Sequence, residues 1–286
     1  MALLQALLDG LLAGGVYALV SVGLTLVFGV MGVVNFAQAE FLMLGMYAAW
    51  ALWAWLGLDP WLGAPLAFAA VFLLGTVLHR LLLRRVMRAP AVAQIFLTVG
   101  LLLALENLAL LLFGSEFRSV RTAYQTLALH LGPFTLGVPQ LAAFLASLGV
   151  GGLLWWFLAR TRTGRAMRAT AQDPAAAQLS GVDADGMHRL AFGLGVGLTA
   201  FGGAVILPYY TAYPAVGSQF VVLMFTAAVL GGLGSVAGAV AGGLLVGVVQ
   251  SLSALMLPLQ LQNLVLFVVF IAVLALRPQG LLGARA

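Results

Sequence analysis

The 286-residue chain has few charged side chains, no cysteine and no lysine. Only 7% of its residues are charged, whereas a soluble domain carries roughly 25%, so polar side chains are too scarce to cover a water-facing surface. The lack of cysteine excludes disulfides and thiol chemistry. The lack of lysine excludes a P-loop, because its lysine reaches the β- and γ-phosphates of the nucleotide. The Gly-rich stretch 231–235 is therefore not a Walker loop.

Hydrophobic residues make up 63% of the chain. Runs of about 20 apolar residues, enough to cross about 30 Å of hydrocarbon, recur along nearly the whole sequence. Segments of alternating polar and apolar residues, as in membrane β-barrels, are missing. We therefore predict an all-α polytopic membrane protein with one transmembrane domain over residues 1–286 and eight or nine helical elements. The predicted spans are 8–30, 35–57, 61–83, 91–113, 138–158, 190–208, 236–256 and 261–277, with a short or re-entrant element at 219–233.

The arginines predict which end of the protein faces the cytoplasm. Nine of the 13 lie in two loops, where the positive-inside rule places the cytoplasm. These are Arg80, Arg84, Arg85, Arg88, Arg160, Arg162, Arg165, Arg168 and Arg189. Nine passages from an external amino terminus put Arg277 and Arg285 inside as well. The basic pI of about 10.2 then reflects cytoplasmic loops rather than nucleic-acid binding.

The first ten residues, MALLQALLDG, lack a basic region and include Asp9. We interpret them as the start of the first span and not as a cleaved signal peptide.

The loop 159–189 contains the signals of a short helix. Asp173 is a good N-cap, Pro174 suits the first helical position, and Gly181 can adopt the left-handed conformation that ends a helix. We predict a helix of about seven residues over 174–180. A helix this short is unstable alone and needs a surface to pack on. That surface is either a groove on a partner or the protein's own cytoplasmic face.

Four segments resemble a known family of permeases. Residues 175–181, AAAQLSG, resemble the EAA-x-x-x-G coupling motif of importer permeases of the ATP-binding-cassette class, with Ala175 in place of glutamate. The wider segment 161–183, TRTGRAMRATAQDPAAAQLSGVD, is similar to the matching loop of branched-chain amino-acid importer permeases. Three further segments are also similar to permeases of that family. They are residues 14–40, which contain NFAQAE, residues 225–247, and residues 278–283, PQGLLG. The chain is thus identified as resembling the H-type permease of that family.

The resemblance implies a transport subunit that is not an enzyme and uses no cofactor. Its implied partners are a second, paralogous permease, two cytoplasmic ATP-binding subunits and an external solute-binding protein, in the inner membrane of a prokaryote. Relatives also carry urea or short-chain amides, so the solute stays open between these and branched-chain amino acids. The implied ATPase-coupling residues are Gly164, Arg165, Arg168, Asp173, Pro174, Ala175, Ala176, Ala177 and Gly181.

Polar residues inside the spans are the candidates for the solute path, because each costs free energy in lipid. They are Asn35, Gln38, Glu40, Glu106 and Asn107. Asn35 and Gln38 also fit the N-cap and N3 positions of a capping box for the second span. Glu40 either lines the path or faces cytoplasmic water. Glu106 either contacts solute or pairs with a neighbouring helix or subunit.

Small residues recur at helical spacing near the carboxy-terminal end of the chain. Such rows let membrane helices approach closely, and we assign a helix-packing role to Gly234, Gly238, Gly242, Gly243 and Gly247. The three histidines have no carboxylate at metal-ligand spacing, so no metal site is expected. The alternative of another class is an ion-gradient-driven transporter or channel, which would need buried ionisable residues along a route.

Overall fold

The computed structural model describes residues 1–87, 89–277 and 279–283. Predictions that involve Arg88, Pro278 and Arg285 lie outside the described residues. Twelve helical segments are α1 Ala2–Met31, α2 Gln38–Leu56, α3 Pro60–Leu78, α4 Arg84–Val86, α5 Ala91–Phe113, α6 Val138–Arg160, α7 Arg162–Gln172, α8 Pro174–Leu179, α9 Ala184–Ile206, α10 Val216–Gly231, α11 Val236–Met256 and α12 Leu259–Leu276. A π-helical turn, His79–Leu83, joins α3 to α4.

The all-α membrane fold is confirmed. Among the described residues, seven helices are long and apolar enough to cross a membrane, and α10 and α12 are shorter apolar helices. Several helix bounds differ from the predicted ones by a few residues, and two differences are larger. The first helix begins at Ala2 rather than at residue 8, because the apolar residues of 2–7 continue the same helix. The loop between α5 and α6 also contains an antiparallel hairpin, β1 Ala128–Leu131 and β2 Phe134–Gly137.

The two arginine-rich loops lie at the same end of the bundle. The guanidinium of Arg84 is 2.9 Å from the Asp185 carboxylate, which joins the end of α3 to the start of α9. Arg168 borders a cavity that also contacts Gly29 and Gly234, so the end of α1 and the turn after α10 lie at this end too. The chain after α12 returns there as well, where the Leu281 N–H donates to the carbonyl of Leu230. Hence the short helix α10 ends at the arginine-rich end of the bundle.

Glycines allow the central helices to pack backbone to backbone. A Cβ on Gly243 or Gly247 would overlap the backbone of α1, and one on Gly238 or Gly242 would overlap that of α10. Gly234 instead precedes α11, with a positive φ of 90° that favours glycine. Close approach of small residues is the usual way in which membrane helices associate without a hydrophobic driving force.

At the opposite end, the long loop 114–137 folds back on the bundle. The Arg118 guanidinium stacks on Trp50 at 4.9 Å, and the Arg118 N–H donates to the carbonyl of Ala212. The Tyr124 hydroxyl donates to the carboxylate of Asp59 at 2.8 Å. Burial, and then the hydrogen bond to Asp59, raise the pKa of Tyr124, so this link stays protonated well into the alkaline range.

Candidate translocation site and coupling helix

The second helix starts deep inside the bundle. A Cβ on Gly23 would contact the side-chain amide of Gln38. The first residue of α2 therefore lies beside Gly23 of α1, nine residues before Gly32, which follows the last residue of α1. At 1.5 Å per residue this is about 13 Å from the arginine-rich end. The six residues 32–37 cover that depth without helical structure. The predicted span 35–57 is thus confirmed as an apolar helix of spanning length, Gln38–Leu56, but its first three residues are not helical.

Hydrogen bonds hold the start of α2 against the middle of α9. The Gln38 amide donates to the carbonyl of Gly195 at 3.0 Å and to the Thr199 hydroxyl at 2.7 Å. The Asn35 amide donates to the Gln38 side-chain oxygen at 2.8 Å. Asn35, Gln38 and Thr199 are all fully buried. Non-helical backbone at this depth is tolerated where protein covers it or water reaches it, and Val33, Asn35 and Ala37 of this segment are buried in the bundle.

The capping-box interpretation of Asn35 and Gln38 is wrong. The N-cap position of α2 is Ala37, and Gln38 is already the first helical residue. The side-chain oxygen of Asn35 accepts from the Ala37 N–H at 3.2 Å, which turns the chain into the helix one turn later than predicted. The two side chains thus support the entry to α2 instead of capping it.

Glu40 lies in the first turn of α2, two residues after its start, and is 1% exposed. Burial excludes the alternative in which this side chain faces cytoplasmic water in the present conformation. Within the described residues, its Oε2 atom has no hydrogen-bond partner. A Cβ on Gly217 would overlap the Glu40 carboxylate, so that carboxylate rests directly on the first turn of α10.

The starts of α2 and α10 therefore meet inside the bundle. The first turn of a helix has unpaired N–H groups and a partial positive charge, and both favour a carboxylate. Phe36, just before α2, also stacks on Phe225 of α10 at 5.2 Å. Paired interrupted helices of this kind are typical of solute and ion sites in transporters. Chemically, the junction offers one carboxylate, two helix starts and an aromatic wall.

The other two candidate path residues lie on α5 and, among the described residues, make no hydrogen bond to this junction. Asn107 is exposed on the outer face of α5, and its amide donates back to the carbonyl of Leu103 at 2.7 Å. Glu106 is half-buried beside it. The structure thus separates Asn35, Gln38 and Glu40 from Asn107, whereas the Glu106 carboxylate is close enough to that of Glu40 for the two charges to interact.

The short helix of the 159–189 loop is α8. The Asp173 carboxylate accepts from the N–H groups of Ala175 at 2.8 Å and Ala176 at 3.0 Å, and Pro174 is the first helical residue. Gly181 has a φ of +83° and ends the helix. The last helical residue is Leu179, one residue before the predicted end.

This helix projects from the bundle. Only Ala177 packs inward, whereas Leu179 is 92% exposed. The preceding helix α7 is held firmly, because a Cβ on Gly164 would overlap the backbone of α6. Arg165 and Arg168 are exposed on α7. Helix α8 thus projects from the bundle and is supported by helix α7, which is packed tightly on α6.

The sequence was compared with known proteins. A family model described as "Branched-chain amino acid transport system / permease component" matches residues 6–274. The chain belongs to this family.

Three relatives align with almost the whole length of this chain. It is 32% identical to the high-affinity branched-chain amino acid transport system permease protein LivH of Escherichia coli K12 and 33% identical to BraD of Pseudomonas aeruginosa. Each alignment covers 98% of this chain and 95% of the relative. A probable LivH of Methanocaldococcus jannaschii is 26% identical over 98% of this chain and 92% of its own. No solved structure matches the chain.

Sequence reasoning missed three residues of these sites. Thr199 gave no signal, because one threonine in an apolar span is ordinary. Gly217 lies outside the glycine rows, and its role depends on Glu40, which is 177 residues away. Leu179 was visible within the motif of the permease family, but its exposure depends on how α8 is held.

Proposed function

We propose that the chain is the membrane-spanning subunit of an ATP-binding-cassette importer in a prokaryotic inner membrane, and that it translocates branched-chain amino acids. The family model that matches residues 6–274 and the relatives that align with 98% of the chain carry the proposal. In this assembly a second permease completes the pathway, two separate cytoplasmic subunits hydrolyse ATP, and an external binding protein delivers the solute.

The projecting helix α8 supports docking of an ATPase. Partner grooves are commonly filled by a few apolar anchors surrounded by small or polar residues. Leu179 is such an anchor, since it is almost fully exposed beside exposed Ala175 and Ala176. Asp173 and Gly181 make α8 a rigid unit, which can transmit a push or pull from an ATPase into α7 and α9.

The junction of α2 and α10 supports a place for the solute path. Glu40 is the acidic group at this junction, and its unpartnered oxygen is free to bind an ammonium group or a hydrogen-bond donor when the helices separate. Asn35 and Gln38 hold the entry to α2 against α9 and keep Glu40 in position. In the present conformation Glu40 rests on Gly217, which corresponds to a closed junction.

Reconstitution tests the proposed function. The chain is placed in proteoliposomes with the permease, ATPases and binding protein encoded beside it, and uptake of radiolabelled leucine is measured. We expect uptake that requires ATP hydrolysis and the binding protein, and that ionophores leave unchanged. A tenfold excess of unlabelled isoleucine should compete, whereas urea and acetamide should not.

Two results would contradict the proposal. Uptake driven by an imposed proton or Na⁺ gradient without ATP would identify a secondary transporter. Competition by urea or acetamide, with none by isoleucine, would keep the ATP-driven mechanism but replace the solute.

A further inference from the structure

Helix α5 is only loosely packed on the rest of the subunit. Its buried side chains form a stripe of about one residue per turn, which consists of Thr98, Leu101, Leu105 and Ala109. This stripe rests on α2 and its entry segment, where the Thr98 hydroxyl lies 3.4 Å from the carbonyl of Val34. Most of the circumference of α5 therefore faces away from the subunit.

The outward face of α5 is not purely apolar. Glu106 and Asn107 lie seven and six residues before the end of the helix at Phe113, which is about 10 Å at 1.5 Å per residue. Exposed leucines precede and follow them on this face, Leu103 at 53% and Leu110 at 45% exposure. Within the described residues, no ion pair or hydrogen bond reaches the Glu106 carboxylate.

Hydrocarbon cannot satisfy the Glu106 carboxylate, whereas the Asn107 amide already donates to the carbonyl of Leu103. Lipid tails offer no hydrogen-bond donor or positive charge, and charged side chains in spans face protein or water. Helix α12 provides the contrast, because its exposed face around Leu264, Val268 and Ile271 is apolar as a lipid-facing surface should be.

We propose that the outward face of α5 around Glu106 and Asn107 is the docking surface for a second, paralogous permease subunit, which presents a hydrogen-bond donor or cation at this depth. The inference rests on the proposed function. Pairing with a copy of this chain is disfavoured, since a two-fold axis along α5 would bring two Glu106 carboxylates together. A paralogue can place a complementary group there.

The position also connects the docking surface to the solute path. The inner stripe of α5 contacts α2 and Val34, so only one helix separates the second permease from the entry segment 32–37. A shift between the two permeases would therefore move α5, and with it the entry segment 32–37 that leads to the junction of α2 and α10.

Photo-crosslinking in the whole transporter tests the inference. The photoreactive residue benzoylphenylalanine is introduced at position 103 or 110 of α5, and at position 264 or 268 of α12 as the matched control. The tagged chain is purified before and after irradiation, and adducts are identified by mass spectrometry. We expect adducts from α5 to contain peptides of a second permease of this family, and the α12 positions to give none.

The outcomes separate the docking surface from the proposed function. If the second permease co-purifies but crosslinks only from α12, or if α5 crosslinks only to lipid or to copies of this chain, the docking surface is wrong. If no second permease co-purifies before irradiation, the proposed function itself fails.

A substitution pair provides an independent measure. We expect Glu106→Leu to lower the co-purified second permease at least tenfold and Glu106→Gln to retain most of it, because glutamine keeps a polar partner at this depth. The thermal unfolding temperature of the isolated chain should stay the same in both variants. Unchanged co-purification in Glu106→Leu would overturn the role of the carboxylate.

Discussion

Truncation of Leu179 should uncouple the permease from its ATPase without disturbing its fold. The side chain is 92% exposed, so it makes almost no contact within its own subunit. In the complex we expect it to be fully buried in the ATPase groove. Leu179→Ala removes three carbon atoms, and about 0.8 kcal/mol per buried CH₂ gives a loss of about 2.4 kcal/mol. At 1.4 kcal/mol per factor of ten, the dissociation constant rises about fiftyfold.

The assay is binding of the purified ATPase to the permease in lipid nanodiscs. Leu179→Met is the matched control, because it preserves side-chain volume and should change the affinity only slightly. Both variants should unfold at the wild-type temperature, since neither removes an internal contact. Solute uptake by Leu179→Ala should recover when the ATPase is supplied in excess.

An affinity of Leu179→Ala equal to that of the wild type would refute this reasoning. It would mean that α8 does not insert its tip into a groove and that the exposed leucine only borders the loop. A large drop in thermal stability would refute it in another way, because the side chain would then have contacts that the structure does not show.

Two further predictions concern the junction of α2 and α10. Gly217→Ala should displace the Glu40 carboxylate and lower solute uptake several-fold. It should cost little thermal stability, because the atoms that the new Cβ overlaps are the end of a flexible side chain. The control Gly149→Ala, whose Cβ would meet open space, should keep wild-type uptake. Gln38→Leu removes two hydrogen bonds to α9 and leaves the buried Thr199 hydroxyl with one partner fewer, so thermal shift measurements should show a destabilisation of about 1–3 kcal/mol. A wild-type melting temperature in Gln38→Leu would contradict the bridging role.

The amino-acid sequence predicted most of the helices because their signal is local. An apolar run of about 20 residues indicates a membrane span wherever it occurs. The arginines indicate that two of the loops lie at the same end of the bundle. The capped turn at α8 was also predictable, since Asp173, Pro174 and Gly181 each act on their immediate neighbours. The errors at α2 have the opposite cause. Whether Asn35 caps a helix or supports its entry depends on Gly195 and Thr199, about 160 residues away.

Composition and local pattern thus determined that much of the chain faces lipid, where most of the long apolar helices lie, and that a short capped helix follows Asp173. Only the tertiary structure decided that α2 starts inside the bundle, that Glu40 rests on the first turn of α10, and that Asn107 faces outward while Glu106 is half-buried. The physical reason is that burial, close backbone contact and a missing hydrogen-bond partner arise between segments far apart in the chain. No spacing within one segment encodes them.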